Sequence, residues 1–286
     1  MILGSLIGLG ADRARIENLL RPLLPGESLH VEEAAGHGLH GMRLDVLCEE
    51  APPHGHGPDA GHAHRSFADI RHMLEEADLP DAVRSDALEI FRRLAEAEGA
   101  VHGRPADTVH FHEVGAEDSI ADIVGACAAR YFLEAGAVSC GPLPLGRGTV
   151  TCRHGVYPVP APATLKLLRG MPVVQTDERH EMVTPTGAAL LSAWRSDDPP
   201  RAVTLLQEAY SFGHTALDTR PNVLRAALCE EPHSTGGDTP PARCTVLETN
   251  LDDLAPELVG GLTERLLSEG ALDVLVIRVI MKQGRP

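Results

Sequence analysis

The sequence predicts a mixed α/β protein: a large N-terminal α/β domain over residues 1–230, a linker at 231–242, and a β-α-β beginning of a second domain over 243–286. Three observations carry this. Apolar residues at i, i+3 and i+4 spacing recur in segments separated by short alternating runs, so helices and strands interleave. Residues 231–241 are Glu followed by Pro, His, Ser, Thr, Gly and Asp with no periodicity, which is linker composition. The final 44 residues supply a strand, a helix and a strand, which is too little to close a core of their own.

Residues 1–10 and 12–20 read as two short helices. Residues 28–35 and 39–49 alternate around Gly36-His37-Gly38, which reads as a hairpin. Residues 66–77 and 81–98 are amphipathic helices with Ser66 and Asp81 as their N-caps. A strand is expected at 108–112, a helix over 116–135, strands at 137–139 and 148–152 with 141–147 as a Gly- and Pro-rich connector, and short helices at 163–168 and 186–194. Strands at 205–211 and 223–229 close the first domain. In the second, strands at 243–248 and 273–280 flank a helix over 255–268.

The chain has 286 residues, with 25 Lys and Arg against 41 Asp and Glu, a formal charge of −16. That balance argues against nucleic acid or an anionic membrane as partner, since both demand clustered cations. No apolar run reaches the ~20 residues a bilayer requires. The apolar start lacks the cationic region of a signal peptide. The six cysteines form no C-x-x-C pair, so a reduced, cytoplasmic protein is expected.

The chemistry sits in the histidines, of which there are 15. His54, His56, His62 and His64 fall in a Pro/Gly/Ala-rich loop at 51–65 as H-x-H-x5-H-x-H, a ligand set suited to nickel, zinc or copper. The same residues also read as a solvated tail that takes metal as a purification tag does. A second cluster is His110-Phe111-His112-Glu113, then Asp118 and Asp122. Residues two apart on a strand share a face, and carboxylates at i, i+4 share a helix face, so two imidazoles and two carboxylates can converge on one ion. An Asp118 cap on a buried helix, with the histidines satisfied in a core, fits the same letters. A third group is Gly146-Arg147-Gly148, His154-Gly155 and Thr184-Pro185-Thr186-Gly187. There Arg147 offers a fork for phosphate or carboxylate, and Thr186 is expected to cap a helix. Lys282 and Arg285 make a local positive spot suited to a triphosphate.

Taken in order, HFHEVGAEDSIADI (110–123), PLPLGRG (142–148), HGVYPVPAPAT (154–164), VTPTGAA (183–189), ETNLDD (248–253) and MKQGRP (281–286) resemble the LarC family of nickel-insertion proteins, over the whole of 1–286. The resemblance implies a nickel chelatase of the lyase class. It would insert nickel into pyridinium-3,5-bisthiocarboxylic acid mononucleotide, consuming CTP with magnesium or manganese, to make the nickel-pincer cofactor of lactate racemase. The residue readings fit that chemistry: metal is expected at the loop histidines and at His110, His112, Glu113, Asp118 and Asp122, substrate at Arg147, His154, Thr184 and Thr186, and nucleotide at Lys282 and Arg285. The resemblance further implies a lactate racemase-type apoenzyme as recipient. A homo-oligomer is compatible with it. Chains of that family begin with a further strand and an Asp-Cys-Phe-Ser-Gly-type segment and continue beyond the match to Pro286. On that reading this chain is truncated at both ends and is an incomplete or inactive form. A non-catalytic cytoplasmic nickel chaperone or buffer is the alternative, and a metal-dependent hydrolase built on H-x-H-E a weaker third.

Overall fold

The computed structural model describes residues 1–48, 65–109, 111, 117–152, 155–196, 198–200, 202–217, 220–231, 247, 249 and 256–276. The chain divides into two compact units, Met1–His233 and Ser234–Pro286. Mixed α/β architecture, as expected, is what the first unit has.

Two short helices open it, α1 (Ile2–Gly8) and α2 (Arg13–Leu20); Asp12 caps the second by accepting from the Arg15 N–H at 3.2 Å. Strands β1 (Glu27–Gly36) and β2 (Leu39–Cys48) form the expected hairpin. Its two-residue turn has φ of 53° at His37 and 79° at Gly38, the left-handed pair that matches the twist of flanking strands. Helix α3 (Phe67–Glu76) begins with a reciprocal cap. Ser66 Oγ accepts from the Asp69 N–H, and the Asp69 carboxylate accepts from the Ser66 N–H at 2.8 Å. Ser66→Ala removes one half of that exchange and should cost about 1 kcal/mol. The check is a thermal melt together with faster amide exchange in the first turn of α3.

Helix α4 (Asp81–His102) runs from Pro80, which is its N-cap; Asp81 lies in the first turn, one residue inside its expected position. The segment after it departs from expectation. Ala106–Thr108 is a 3-10 turn rather than the start of a strand, because the Thr108 N–H is already satisfied by the Pro105 carbonyl. Helix α5 (Glu117–Phe132) is apolar almost all round, with Ile120, Ile123, Val124, Ala126 and Ala128 at 0% exposure, so it runs through the core instead of along its surface. Helices α1, α2 and α4 pack against it.

Strand β3 (Leu143–Leu145) lies inside the stretch read as a connector and pairs in parallel with β6 (Val173–Gln175). A three-residue strand with a central proline has no sequence signature, and only its distant partner makes it a strand. The predicted strand at 137–139 reduces to one bridge, Val138 with Arg195. Strands β4 (Thr149–Cys152) and β5 (Gly155–Pro158) pair antiparallel, and α6 (Pro162–Leu167) and α7 (Pro185–Trp194) follow. Strands β7 (Thr204–Phe212) and β8 (Val223–Glu230) complete a four-stranded sheet of order β1-β2-β7-β8, in which β2 and β7 are parallel neighbours through Met42 and Ser211. Helix α1 covers β2 and β7. It comes close because Gly4 and Gly8 carry no side chain: a Cβ would stand 2.5 Å from Ser211 Oγ at the first and 2.8 Å from the Ala209 Cβ at the second.

Of the second unit, α8 (Pro256–Ser268) matches the predicted helix. Residues 273–276 form no strand; Leu275 and Val276 are exposed, and no described segment pairs with them. The linker residues 232–242 and the strand expected at 243–248, except Leu247, lie outside the described residues.

Candidate functional site

The polar end of α5 is where the sequence places two carboxylates. Because the rest of the helix is sunk in the core, its first turn is held rigidly, and the helix dipole favours negative charge there. Asp118 is exposed and its carboxylate accepts from the Ser119 N–H at 3.0 Å. Asp122, one turn on, is half-buried. Burial pushes its carboxyl above the ordinary 3.8, the positive amino terminus of Met1 draws it back, and the Asp118 charge pushes it further up. The two carboxylates therefore feel each other, and the start of α1 lies beside them. Glu117 stands 3.7 Å from the Arg65 guanidinium, which ties the turn to the segment before α3.

Among the described residues, no three His, Cys, Asp or Glu side chains gather closely enough to hold a metal ion. Asp118 and Asp122 are the two residues of the expected metal set that lie among the described residues. His54, His56, His62, His64, His110, His112, Glu113, His154, Lys282 and Arg285 lie outside the described residues. The neighbours Val109 and Phe111 are both buried, and the Phe111 ring meets Phe91 of α4 at a centroid distance of 6.3 Å. Cys127, on the same helix as the carboxylates, is not a ligand candidate. Burial and then the Asp86 charge push its thiol well above its usual value, so it stays protonated. Cys127, Cys140 and Cys229 are all free thiols.

Arg147 leaves β3 in the tight turn after Gly146. Its Nε donates to the Asp177 carbonyl at 3.1 Å, and a terminal nitrogen sits 3.3 Å from the Asp177 carboxylate, with 54% of the side chain exposed. At α7 the cap is Thr184, not Thr186: the Thr184 Oγ1 accepts from the Gly187 N–H at 3.2 Å. Pro185 explains the shift, since proline is favoured at the first helical position and the cap must precede it. Thr186 lies inside the first turn.

The family model described as nickel insertion protein matches residues 1–286. The chain belongs to that family. A relative from Akkermansia muciniphila, named pyridinium-3,5-bisthiocarboxylic acid mononucleotide nickel insertion protein, is 44% identical over 289 residues, covering 100% of this chain and 70% of its own length. A protein of the same name from Geobacillus kaustophilus is 38% identical over 293 residues, covering 100% of this chain and 71% of its own. No solved structure matches.

Two features of this nickel insertion family member escape the sequence reading. Glu178 is completely buried, with Arg220 Nε 3.5 Å from its carboxylate. Nothing in the charged run Asp177-Glu178-Arg179 marks the middle residue as the interior one. The second is a cavity of about 790 Å³ over β1, β2 and β7, lined by Glu33, His40, Met42, Glu208 and Tyr210 among others. No residue predicted for the site lines it. No helix among the described residues is long and apolar enough to cross a membrane.

Proposed function

We propose that this chain inserts nickel into pyridinium-3,5-bisthiocarboxylic acid mononucleotide. The observation that carries the reading is the match to the nickel insertion family over residues 1–286, with relatives named for that reaction at 38–44% identity. Nickel is cargo here, taken up and transferred rather than retained. Forming a nickel–carbon bond at a ring C–H releases a proton, so the site needs a base beside the metal. Asp122, whose carboxyl holds its proton more tightly than an ordinary aspartate, suits that role, and Asp118 beside it helps to neutralise the incoming ion. His110 and His112 complete the donor set on this reading. The loop histidines gather nickel and pass it on, because a Gly/Pro-rich loop suits capture better than preorganised chemistry. His154, Thr184 and Thr186 contact the substrate, and Lys282 and Arg285 a nucleotide. CTP with magnesium or manganese is the co-substrate, the compartment is the cytoplasm, and a lactate racemase-type apoenzyme receives the product.

The test is incubation with the bisthiocarboxylate mononucleotide, nickel, CTP and manganese, following the absorbance of the pincer product. Nickel bound with no product formed would replace this reading with the chaperone. Changing His54, His56, His62 and His64 together to Ala should lower the nickel ions held per chain, while saturating nickel restores turnover. Turnover that stays abolished at saturating nickel would make the loop part of the insertion site.

A further inference from the structure

The turn that carries Arg147 is built with unusual economy of space. A Cβ on Gly146 would lie 1.8 Å from the His180 carbonyl oxygen, so the two backbones approach too closely for any side chain at this position. The crossing is pinned from both sides. The Gln175 side-chain amide donates to the Leu145 and Gly146 carbonyls at 3.1 and 3.0 Å, and Thr176 Oγ1 donates to the Leu145 carbonyl at 2.9 Å. The Arg147 N–H donates to the Glu178 carbonyl at 2.8 Å, and its guanidinium leans on Asp177.

A third segment joins at the same dipeptide. The Glu178 side chain is 0% exposed, whereas its partner Arg220, from the loop between β7 and β8, is 46% exposed. A carboxylate taken wholly out of water requires compensating groups against it, and the Arg220 guanidinium is one of them. The approach to Glu178 is through Arg220 Nε, and among the described residues no hydrogen bond engages the two terminal nitrogens of the fork. Arg147 likewise spends Nε and one terminal nitrogen on Asp177. Adjacent residues 177 and 178 thus anchor two half-exposed guanidiniums from separate loops, each with donors left over. In a chain of charge −16, such a placement is suited to an anion with several oxygens.

We propose that Arg147 and Arg220 together bind the phosphate of the mononucleotide substrate, and that Glu178 is the positioning residue that fixes the Arg220 fork. The assignment rests on the nickel-insertion reading for its substrate. It adds Arg220 and Glu178 to that reading and gives Arg147 a stated ligand group.

Isothermal titration with the mononucleotide and with the nucleoside left when its phosphate is removed tests this directly. The wild-type chain should prefer the mononucleotide by about 30-fold or more. Arg220→Gln should cut that preference about tenfold while leaving nucleoside affinity within about twofold, and CTP affinity should not move. Glu178→Gln should lower the preference in the same way and add little in the Arg220→Gln background, because the two act as one unit. Arg220→Lys, which keeps charge and supports Glu178, should recover only part of the preference if a fork is needed. An unchanged mononucleotide-to-nucleoside ratio in a folded Arg220→Gln chain would overturn the proposal, as would a wild type that binds both ligands equally. A wild type that binds neither would overturn the nickel-insertion reading and this proposal with it.

Discussion

Asp122→Asn should lower nickel insertion by about 10–100-fold or more, the scale seen when a group ordering a metal site is lost, and at neutral pH it should raise rather than lower thermal stability. The sign follows from burial. The folded chain holds the Asp122 proton more tightly than the unfolded chain, whose value is the ordinary 3.8. Folding therefore takes up a proton in the window just above that value, and stability falls as pH rises through it. At neutral pH the folded state carries the full cost of a half-buried carboxylate beside Asp118, a cost asparagine does not have. A rise in Tm of about 1–3 °C is expected, on the scale of 2–4 °C per kcal/mol for a domain of this size. The gain should vanish well below pH 3.8, where both side chains are neutral. Thermal melts of the two proteins across pH, set beside turnover, check it. A destabilised variant at neutral pH would mean that Asp122 is held by a structural partner and not kept for function.

Gly146→Ala should produce the largest loss of stability from one added methyl group. The obstacle at 1.8 Å is a backbone carbonyl, not the movable end of a side chain, and the Leu145 and Gly146 carbonyls on the other side are held by Thr176 and Gln175. A cost of about 3 kcal/mol is expected, the upper part of the range for overpacking, or a fall in Tm of about 6–12 °C. Gly136→Ala is the control: nothing lies within 4 Å of its added Cβ, and the change should be close to neutral. Thermal melts of both variants decide the matter, and a Gly146→Ala loss of less than about 0.5 kcal/mol would show that the crossing relaxes.

What the sequence by itself determined is whatever is encoded within one turn or one strand pair. Ser66 specifies a cap, Gly36-His37-Gly38 a hairpin, and the apolar run of residues 120–129, broken only by Asp122, a helix. The i, i+4 spacing of Asp118 and Asp122 sets them one turn apart on α5, and the motifs from 110 to 286 carry the family. Local signals erred where a partner far along the chain decides. Residues 143–145 are a strand because residues 173–175 lie beside them. The cap of α7 moved from Thr186 to Thr184 on a single proline. Only the tertiary structure decided which charged residues leave water. Trp194 Nε1 and Arg130 both donate to Asp86, bringing α7 and α5 to α4, and Glu178 is buried against Arg220 while its neighbour Asp177 stays at the surface. The reason is that burial of a charge depends on whether another segment brings a compensating group to the same point, and that meeting is a property of the folded chain, invisible to the period of any one element.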